Sequence, residues 1–191
     1  MNNLVIIAHP DKQSFCHNGI FKTVYNTLID HEENVDIIDL YEDKFNVFGD
    51  EQKVKFYRDL ITKSNRIYII SPVWWFRCTP LLESFFDQVL SPGFAYKFIS
   101  ITKTLAIPKP FLKDKKVRTY LSHGAPALPV LTLYINSVKL RLVMGVYSFV
   151  FGWFRTKTRQ FWSVPFVSDA KRKKYLQKVV KDVQNDIARK N

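Results

Sequence analysis

Ile67-Tyr68-Ile69-Ile70-Ser71-Pro72-Val73-Trp74-Trp75-Phe76-Arg77-Cys78-Thr79-Pro80 begins as an apolar, β-branched run and breaks at a proline followed by three aromatics. Ile67 to Ser71 has the composition of a buried strand, and from Pro80 the apolar residues of Leu81-Leu82-Glu83-Ser84-Phe85-Phe86-Asp87-Gln88-Val89-Leu90 recur at helical spacing. The aromatics therefore sit where a strand hands over to a helix. In an open parallel α/β sheet that hand-over lies at the carboxyl edge, where ligands bind.

The same strand, turn and helix pattern repeats outward from this stretch. Leu4-Val5-Ile6-Ile7-Ala8 reads as a first strand ending at His9-Pro10-Asp11, and Ser14 opens a helix reaching about Asp30. Val35 to Leu40 alternates as a second strand, and Glu51 to Thr62 makes an amphipathic helix. Val117 to Ser122 is the fourth strand, ending at His123-Gly124-Ala125-Pro126. Phe161 to Val167 is the candidate last strand, before a terminal helix from Ser168-Asp169 to about Lys190 with Ser168 as N-cap. This order predicts an α/β, doubly wound five-stranded parallel sheet with helices on both faces, formed by residues 1–191 as a single domain.

Two stretches fit less neatly. Ser91 to Leu112 is a long connection with Pro92, Gly93, Pro108 and Pro110, read as a lid or one wall of a site. Leu128 to Phe154 is apolar and aromatic, interrupted by Lys139 and Arg141. It reads as a core helix followed by a buried or dimer-facing segment, with a membrane-surface role as the alternative.

With 47% hydrophobic residues among 191 the chain can bury a real core. The apolar run after Met1-Asn2-Asn3 is too short for a signal peptide or a membrane span, so a cytoplasmic location is expected. Cys16 and Cys78 build no disulfide framework, and no Cys/His cluster has zinc spacing, so no metal is expected. The net charge of +12 reads by default as a solvated basic face, with an anionic membrane or anionic small molecules such as phosphorylated cofactors as alternatives; no nucleic-acid motif accompanies it, and no nucleic-acid partner is expected. Neither GxGxxG nor GxxxxGK[ST] occurs, which argues against a Rossmann dinucleotide fold and a P-loop NTPase.

Three strand ends meet at one edge: His9-Pro10 with Ser14, Pro72 to Phe76, and Ser122 to Gly124. Ser14 and the amides of Phe15, Cys16 and His17, at a helix N-terminus, are the expected anion site. Taken alone, Trp74, Trp75 and Phe76 read as core or interface aromatics, Cys16 and Cys78 as inert small residues, and Arg77 as a surface arginine. The basic terminal helix reads as a solvated face with Tyr175, Leu176, Val179, Val180, Val183 and Ile187 turned inward.

His9-Pro10 with Ser14-Phe15, Asp39-Leu40-Tyr41 with Phe45, Pro72 to Phe76 with Pro80, and Gly93-Phe94-Ala95-Tyr96 together resemble, in order and approximate spacing, the flavodoxin-like NAD(P)H:quinone oxidoreductases. That group includes DT-diaphorase, the modulator-of-drug-activity reductases and the ancillary subunits of potassium-efflux systems. The resemblance covers most of the chain and is densest from Leu4 to Tyr96. It implies an enzyme that binds FMN or FAD and passes hydride from NAD(P)H to a quinone-like acceptor as a homodimer. The alternative it carries is a flavin-binding ancillary subunit of a membrane transporter with little turnover. By the resemblance, His9, Ser14, Phe15 and Cys16 bind the flavin phosphate and ribityl chain, with Cys16 standing where the family commonly has Asn. Pro72, Val73, Trp74, Trp75 and Phe76 run along the isoalloxazine, and Ser122, His123, Gly124 and Ala125 lie on its other side. Tyr96, with Phe98 as a second aromatic, borders the substrate pocket across a dimer interface. After Gly124 the sequence Ala125-Pro126-Ala127-Leu128-Pro129 departs from the family, whose Tyr and His that help the hydride step have no match here. His123 is then the nearest candidate for stabilising the reduced flavin, and Tyr96 and His123 are the expected catalytic residues.

Overall fold

The computed structural model describes residues 1–189. In chain order the elements are β1 (Asn2–Ile7), a π-helical turn (Phe15–Phe21) running into α1 (Lys22–Asp30), β2 (Asn34–Asp39), α2 (Glu51–Lys63), β3 (Arg66–Pro72) and α3 (Pro80–Val89). There follow β4 (Tyr96–Ser100), β5 (Ala106–Pro110), β6 (Lys116–Ser122), α4 (Ala127–Leu131), α5 (Ser137–Leu140), a second π-helical stretch (Arg141–Tyr147), α6 (Ser148–Val150), β7 (Thr156–Phe161) and α7 (Asp169–Ala188).

β2-β1-β3-β6-β7 form one five-stranded sheet with every pairing parallel. This is the expected doubly wound order, and β3 lies at its centre with all seven residues buried. Alternation along the strands sends side chains to both faces. Leu4, Ile6, Ile67 and Ile69 pack with Ile61 of α2 and Leu82 and Phe85 of α3. Val5, Ile7, Tyr68 and Ile70 pack with Val24 and Leu28 of α1 and Val179 and Val183 of α7. Because both faces are covered, the central strands read as near-continuous apolar runs, which is why they were recognisable in sequence.

Three expectations need correction. The last strand is Thr156–Phe161, not Phe161 to Val167. An edge strand has a partner on one side only and is freed from an apolar pattern; its Arg159 and Lys157 pair with Asp182 and Asp186 of α7. The apolar run that suggested a strand turns instead, with Ser163 at φ +52°. The connection after α3 is a hairpin of antiparallel β4 and β5, with Tyr96 and Phe98 edge-on to Phe149. The 128–154 segment, expected as a core helix followed by a buried or dimer-facing segment, has the reverse order, its exposed part first and its buried helical part after left-handed Ile135 and Asn136. Val138, Leu142, Tyr147 and Phe151 beyond the break are buried, whereas Leu128, Leu133 and Ile135 before and at it are exposed.

Ser168 caps α7 as expected, accepting from the Lys171 amide at 3.3 Å. Lys190, where that helix was expected to end, lies outside the described residues. Among the described residues no helix is long and apolar enough to cross a membrane.

Candidate functional site

At the carboxyl edge of the sheet the ends of β1, β3 and β6 open into a cleft of about 860 Å³. Each strand supplies a loop to it. From β1 come His9 and Ser14 to Cys16, from β3 Pro72 to Trp74, and from β6 Ser122 to Gly124. The Val73 amide donates to the Ser122 carbonyl at 2.9 Å, so the β3 and β6 loops stay paired one residue beyond the strands.

The β1 loop is built to leave donors over. Ser14 Oγ accepts from the His17 amide at 3.2 Å, and the Ser14 carbonyl accepts from the Asn18 amide at 2.8 Å. The His17 amide is thus engaged, which removes it from the expected anion site. Phe15 and Cys16, as the first two helical residues, carry amides for which the helix supplies no acceptor, and the Ser14 hydroxyl keeps its hydrogen to donate. Gly19 faces this turn because a Cβ there would stand 3.0 Å from the Phe15 ring. The first turn is π-helical, a geometry that recurs at functional sites. Asp39, at the end of β2, fastens the loop from behind. It binds Lys12 Nζ at 2.5 Å and His17 Nε2 at 2.9 Å, and its other oxygen accepts from the Tyr41 and Glu42 amides. Burial opposes its ionisation, but the bonds from Lys12 and His17 outweigh it and hold the carboxyl below its usual range.

The three aromatics after Pro72 diverge. Trp74 lines the cleft, its ring edge-on to His9 at 6.1 Å. Trp74 and Arg77 exchange backbone hydrogen bonds of 2.9 and 3.0 Å, closing a two-residue turn in which Trp75 and Phe76 both have positive φ, +50° and +59°. Positive φ at both central positions is the type I′ geometry, normally the province of Gly and Asn. Two bulky residues held there cost of order 1–3 kcal/mol each. The result is that Phe76 stacks on Tyr134 with centroids 4.2 Å apart, while Trp75 is 91% exposed. Neither lines the cleft, and neither does Ala125, whose carbonyl accepts from the Ser163 amide. Tyr96 packs against Phe98 and Phe149, away from the cleft within one chain.

His123 is buried, its ring against Trp162 at 4.2 Å. Its Nε2 donates to Gln160 Oε1 at 3.0 Å, which leaves Nδ1 as an acceptor. Desolvation lowers its pKa to about 4, so the imidazole is neutral at pH 7 and contributes no cation to the cleft. Since the free side chain titrates at 6.5, the unfolded chain takes up this proton first as pH falls. Stability is thus unaffected by His123 at neutral pH and declines between 6.5 and about 4. Urea midpoints across that window are expected to fall less steeply in His123→Gln; parallel slopes would refute the assignment. His9 is also shifted down, chiefly by burial, and its Nδ1 accepts from the Asp11 amide at 3.0 Å.

Cys16 Sγ lies 3.0 Å from Ser122 Oγ, linking the β1 and β6 loops, and burial pushes its thiol up to about 12. Cys78 is likewise pushed up to about 12 by burial. Both are unreactive thiols at neutral pH, in keeping with their reading as inert residues.

The cleft also has lining residues that no motif indicated. Val164 and Pro165 and the first turns of α7, with Asp169, Arg172, Lys173 and Leu176, form its far side. Arg172 is fixed by Asp169 at 2.8 Å and by the carbonyls of Val164 and Pro165 at 3.2 and 3.3 Å. Lys173 is exposed. Arg172, paired with Asp169, exposed Lys173 and the amides of Phe15 and Cys16 thus share a cleft whose opposite side carries Pro72, Val73 and Trp74. Among the described residues no cluster could hold a metal ion.

A family model described as the flavodoxin-like fold matches residues 1–181, and the chain belongs to this family. Among curated proteins it is 26% identical over 137 residues to an uncharacterized NAD(P)H oxidoreductase of Haemophilus influenzae, a match covering 65% of each chain. It is 32% identical over 96 residues to the uncharacterized NAD(P)H oxidoreductase YrkL of Bacillus subtilis, covering 50% of this chain and 51% of that one. The matched stretches therefore span about two thirds to one half of those relatives. Among solved structures, Smu.1420 from Streptococcus mutans superposes with TM-score 0.82 at 24% identity, covering 97% and 100% of the two chains. The FMN-dependent NADH-azoreductase of Bacillus anthracis, solved with FMN, superposes with TM-score 0.70 at 17% identity, covering 99% of both. These likenesses establish the fold.

Proposed function

We propose that the chain is a flavin-dependent NAD(P)H oxidoreductase that holds FMN in the carboxyl-edge cleft and reduces a quinone or similar small acceptor. The observation that carries this reading is the chemistry of the cleft. Free helix amides, the Ser14 hydroxyl, Arg172 and Lys173 suit a phosphate, while Val73 and Trp74 offer apolar surface to a flat ring. The volume falls within the range of small-molecule sites, about 300–1,000 Å³. Curated relatives named NAD(P)H oxidoreductases, and a fold neighbour solved with FMN, favour the same chemistry and favour FMN over FAD.

When bound, the flavin supplies a ring that accepts hydride from a nicotinamide and returns it to the acceptor. The residues here bind, orient and exclude water. Phe15, Cys16 and Ser14 would hold the phosphate, Pro72 to Trp74 would present backbone and ring surface, and neutral His123 would offer Nδ1 as an acceptor for an N–H group. Pairing of two copies would bury the exposed side chains of Trp75, Leu128, Leu133 and Ile135 and bring Tyr96 toward the partner's cleft. The test is FMN titration followed by NADH and NADPH oxidation with a soluble quinone. Saturable FMN binding with quinone-dependent turnover is the expected result; a protein that neither binds flavin nor oxidises either nicotinamide overturns the proposal. A second reading, a cytoplasmic ancillary subunit docked on a membrane transporter, is favoured by the same exposed apolar residues. It predicts bound FMN with negligible turnover and co-purification with a membrane protein.

A further inference from the structure

A second, smaller cavity of about 170 Å³ opens at the opposite, amino edge of the sheet, between the starts of β3 and β6 and the C-terminal end of α7. Eleven residues line it, six of them Lys or Arg and one, Asp186, acidic. This is far from the carboxyl-edge cleft: β3 alone separates the two by seven residues, about 20 Å of strand.

The cations are not cancelled by the carboxylates behind them. Arg118 pairs with Asp186 at 2.5 Å and Asp182 at 3.3 Å, but Asp186 is shared with Lys157 at 3.7 Å and Asp182 with Arg159. Glu33 takes Arg66 at 3.2 Å but also the N-terminal ammonium at 2.9 Å. Lys116 Nζ donates to the Arg189 carbonyl at 2.9 Å and, among the described residues, joins no ion pair. Arg155 is exposed and, among the described residues, joins no ion pair.

Two lining residues also carry buried polar atoms that, among the described residues, have no hydrogen-bond partner, the Arg66 Nε and the Tyr68 hydroxyl. Both side chains are almost wholly buried, 2% and 1% exposed. They stand on one face of β3, two residues apart. An orphaned buried donor costs about 1–3 kcal/mol, and here two donors occur beside a cavity with surplus positive charge. Burial raises the Tyr68 pKa further, so its hydroxyl stays protonated and able to donate. An arginine Nε–H can only donate. The Arg66 Nε–H thus calls for an acceptor, and the Tyr68 hydroxyl can donate to the same one.

We infer that this cavity is a binding site for a small oxyanion of phosphate size, held by Arg155 and Lys116 at the rim over Arg66 and Tyr68. A nucleotide is excluded by the volume, which lies below the range of about 300 Å³ and upward that larger ligands occupy. The inference is independent of the flavin reading, because it shares no residue with the cleft.

Inorganic phosphate is the probe, titrated calorimetrically into wild-type protein and into Arg155→Gln, Tyr68→Phe and Lys103→Gln, the last an exposed lysine that lines neither cavity. Phosphate affinity is expected to fall roughly tenfold in Arg155→Gln and several-fold in Tyr68→Phe, with Lys103→Gln unchanged. Tyr68→Phe tests the floor without emptying it, and removal of an orphaned hydroxyl should leave the phosphate-free protein at least as stable as wild type. A selenate-soaked crystal is expected to place anomalous density between Arg155 and Tyr68. The proposal is overturned if phosphate does not bind, if Arg155→Gln and Tyr68→Phe bind it as tightly as wild type, or if selenate is found solely in the carboxyl-edge cleft.

Discussion

Gly124→Phe is expected to weaken FMN binding on the order of 100-fold or more, with the fold intact. Gly124 lines the cleft where β6 ends, and a Cβ built there meets no atom within 4 Å, so the new side chain projects into open space rather than into protein. Its φ lies outside the left-handed range, so no backbone penalty accompanies the change. The steric conflict therefore falls on the ligand alone. Quenching of flavin fluorescence measures the affinity, and circular dichroism with a melting curve checks the fold. A loss of less than about tenfold would mean that the flavin does not pass Gly124, and the proposed site would fall. A 100-fold loss is about 2.7 kcal/mol, more than a single hydrogen bond from Ser14 contributes.

What the sequence revealed of this site follows a physical rule. Buried parallel strands carry apolar residues on both faces, so β1 and β3 stood out, as did β6 through Val117, Tyr120 and Leu121 although Arg118 and Thr119 are buried with them, and so did the loops at their carboxyl ends. β7 did not, because an edge strand takes its stability partly from ion pairs with α7 and carries Thr156, Lys157, Thr158, Arg159 and Gln160. The turn at Trp75 and Phe76 was hidden for another reason. Positive φ is signalled by Gly or Asn, and here bulky aromatics adopt it, Phe76 held by its stack on Tyr134. Arg172 and Lys173 are hidden in a basic helix whose charge pattern is that of a solvated face. Topology could have found them: a helix that follows a parallel strand begins at the carboxyl edge. The N-terminus of α7, following β7, therefore had to stand beside the cleft.

Asp182→Ala is expected to cost about 3–5 kcal/mol of stability, as removal of one partner from a buried ion network does. At this chain length each kcal/mol moves the melting temperature by roughly 2–4 °C, so a fall of roughly 6–20 °C is expected by calorimetry. Asp182 is 6% exposed; it pairs bidentately with Arg159 and lies 3.3 Å from Arg118. Asp186 alone would then face Arg118, Lys157 and the released Arg159. Arg118, with a side chain 8% exposed, cannot turn to water for compensation. Arg159, at 35%, can, which places the loss toward the lower end of the range. Asp182→Asn keeps the shape and one acceptor and should recover part of it. A loss below about 1 kcal/mol would instead class the network with surface pairs screened by solvent. The charge removed also adjoins the amino-edge cavity, which would gain positive potential. Phosphate should therefore raise the melting temperature of Asp182→Ala more than that of wild type. If phosphate raised both equally, the stability of the network and the anion affinity of the cavity would be separate properties of the amino edge.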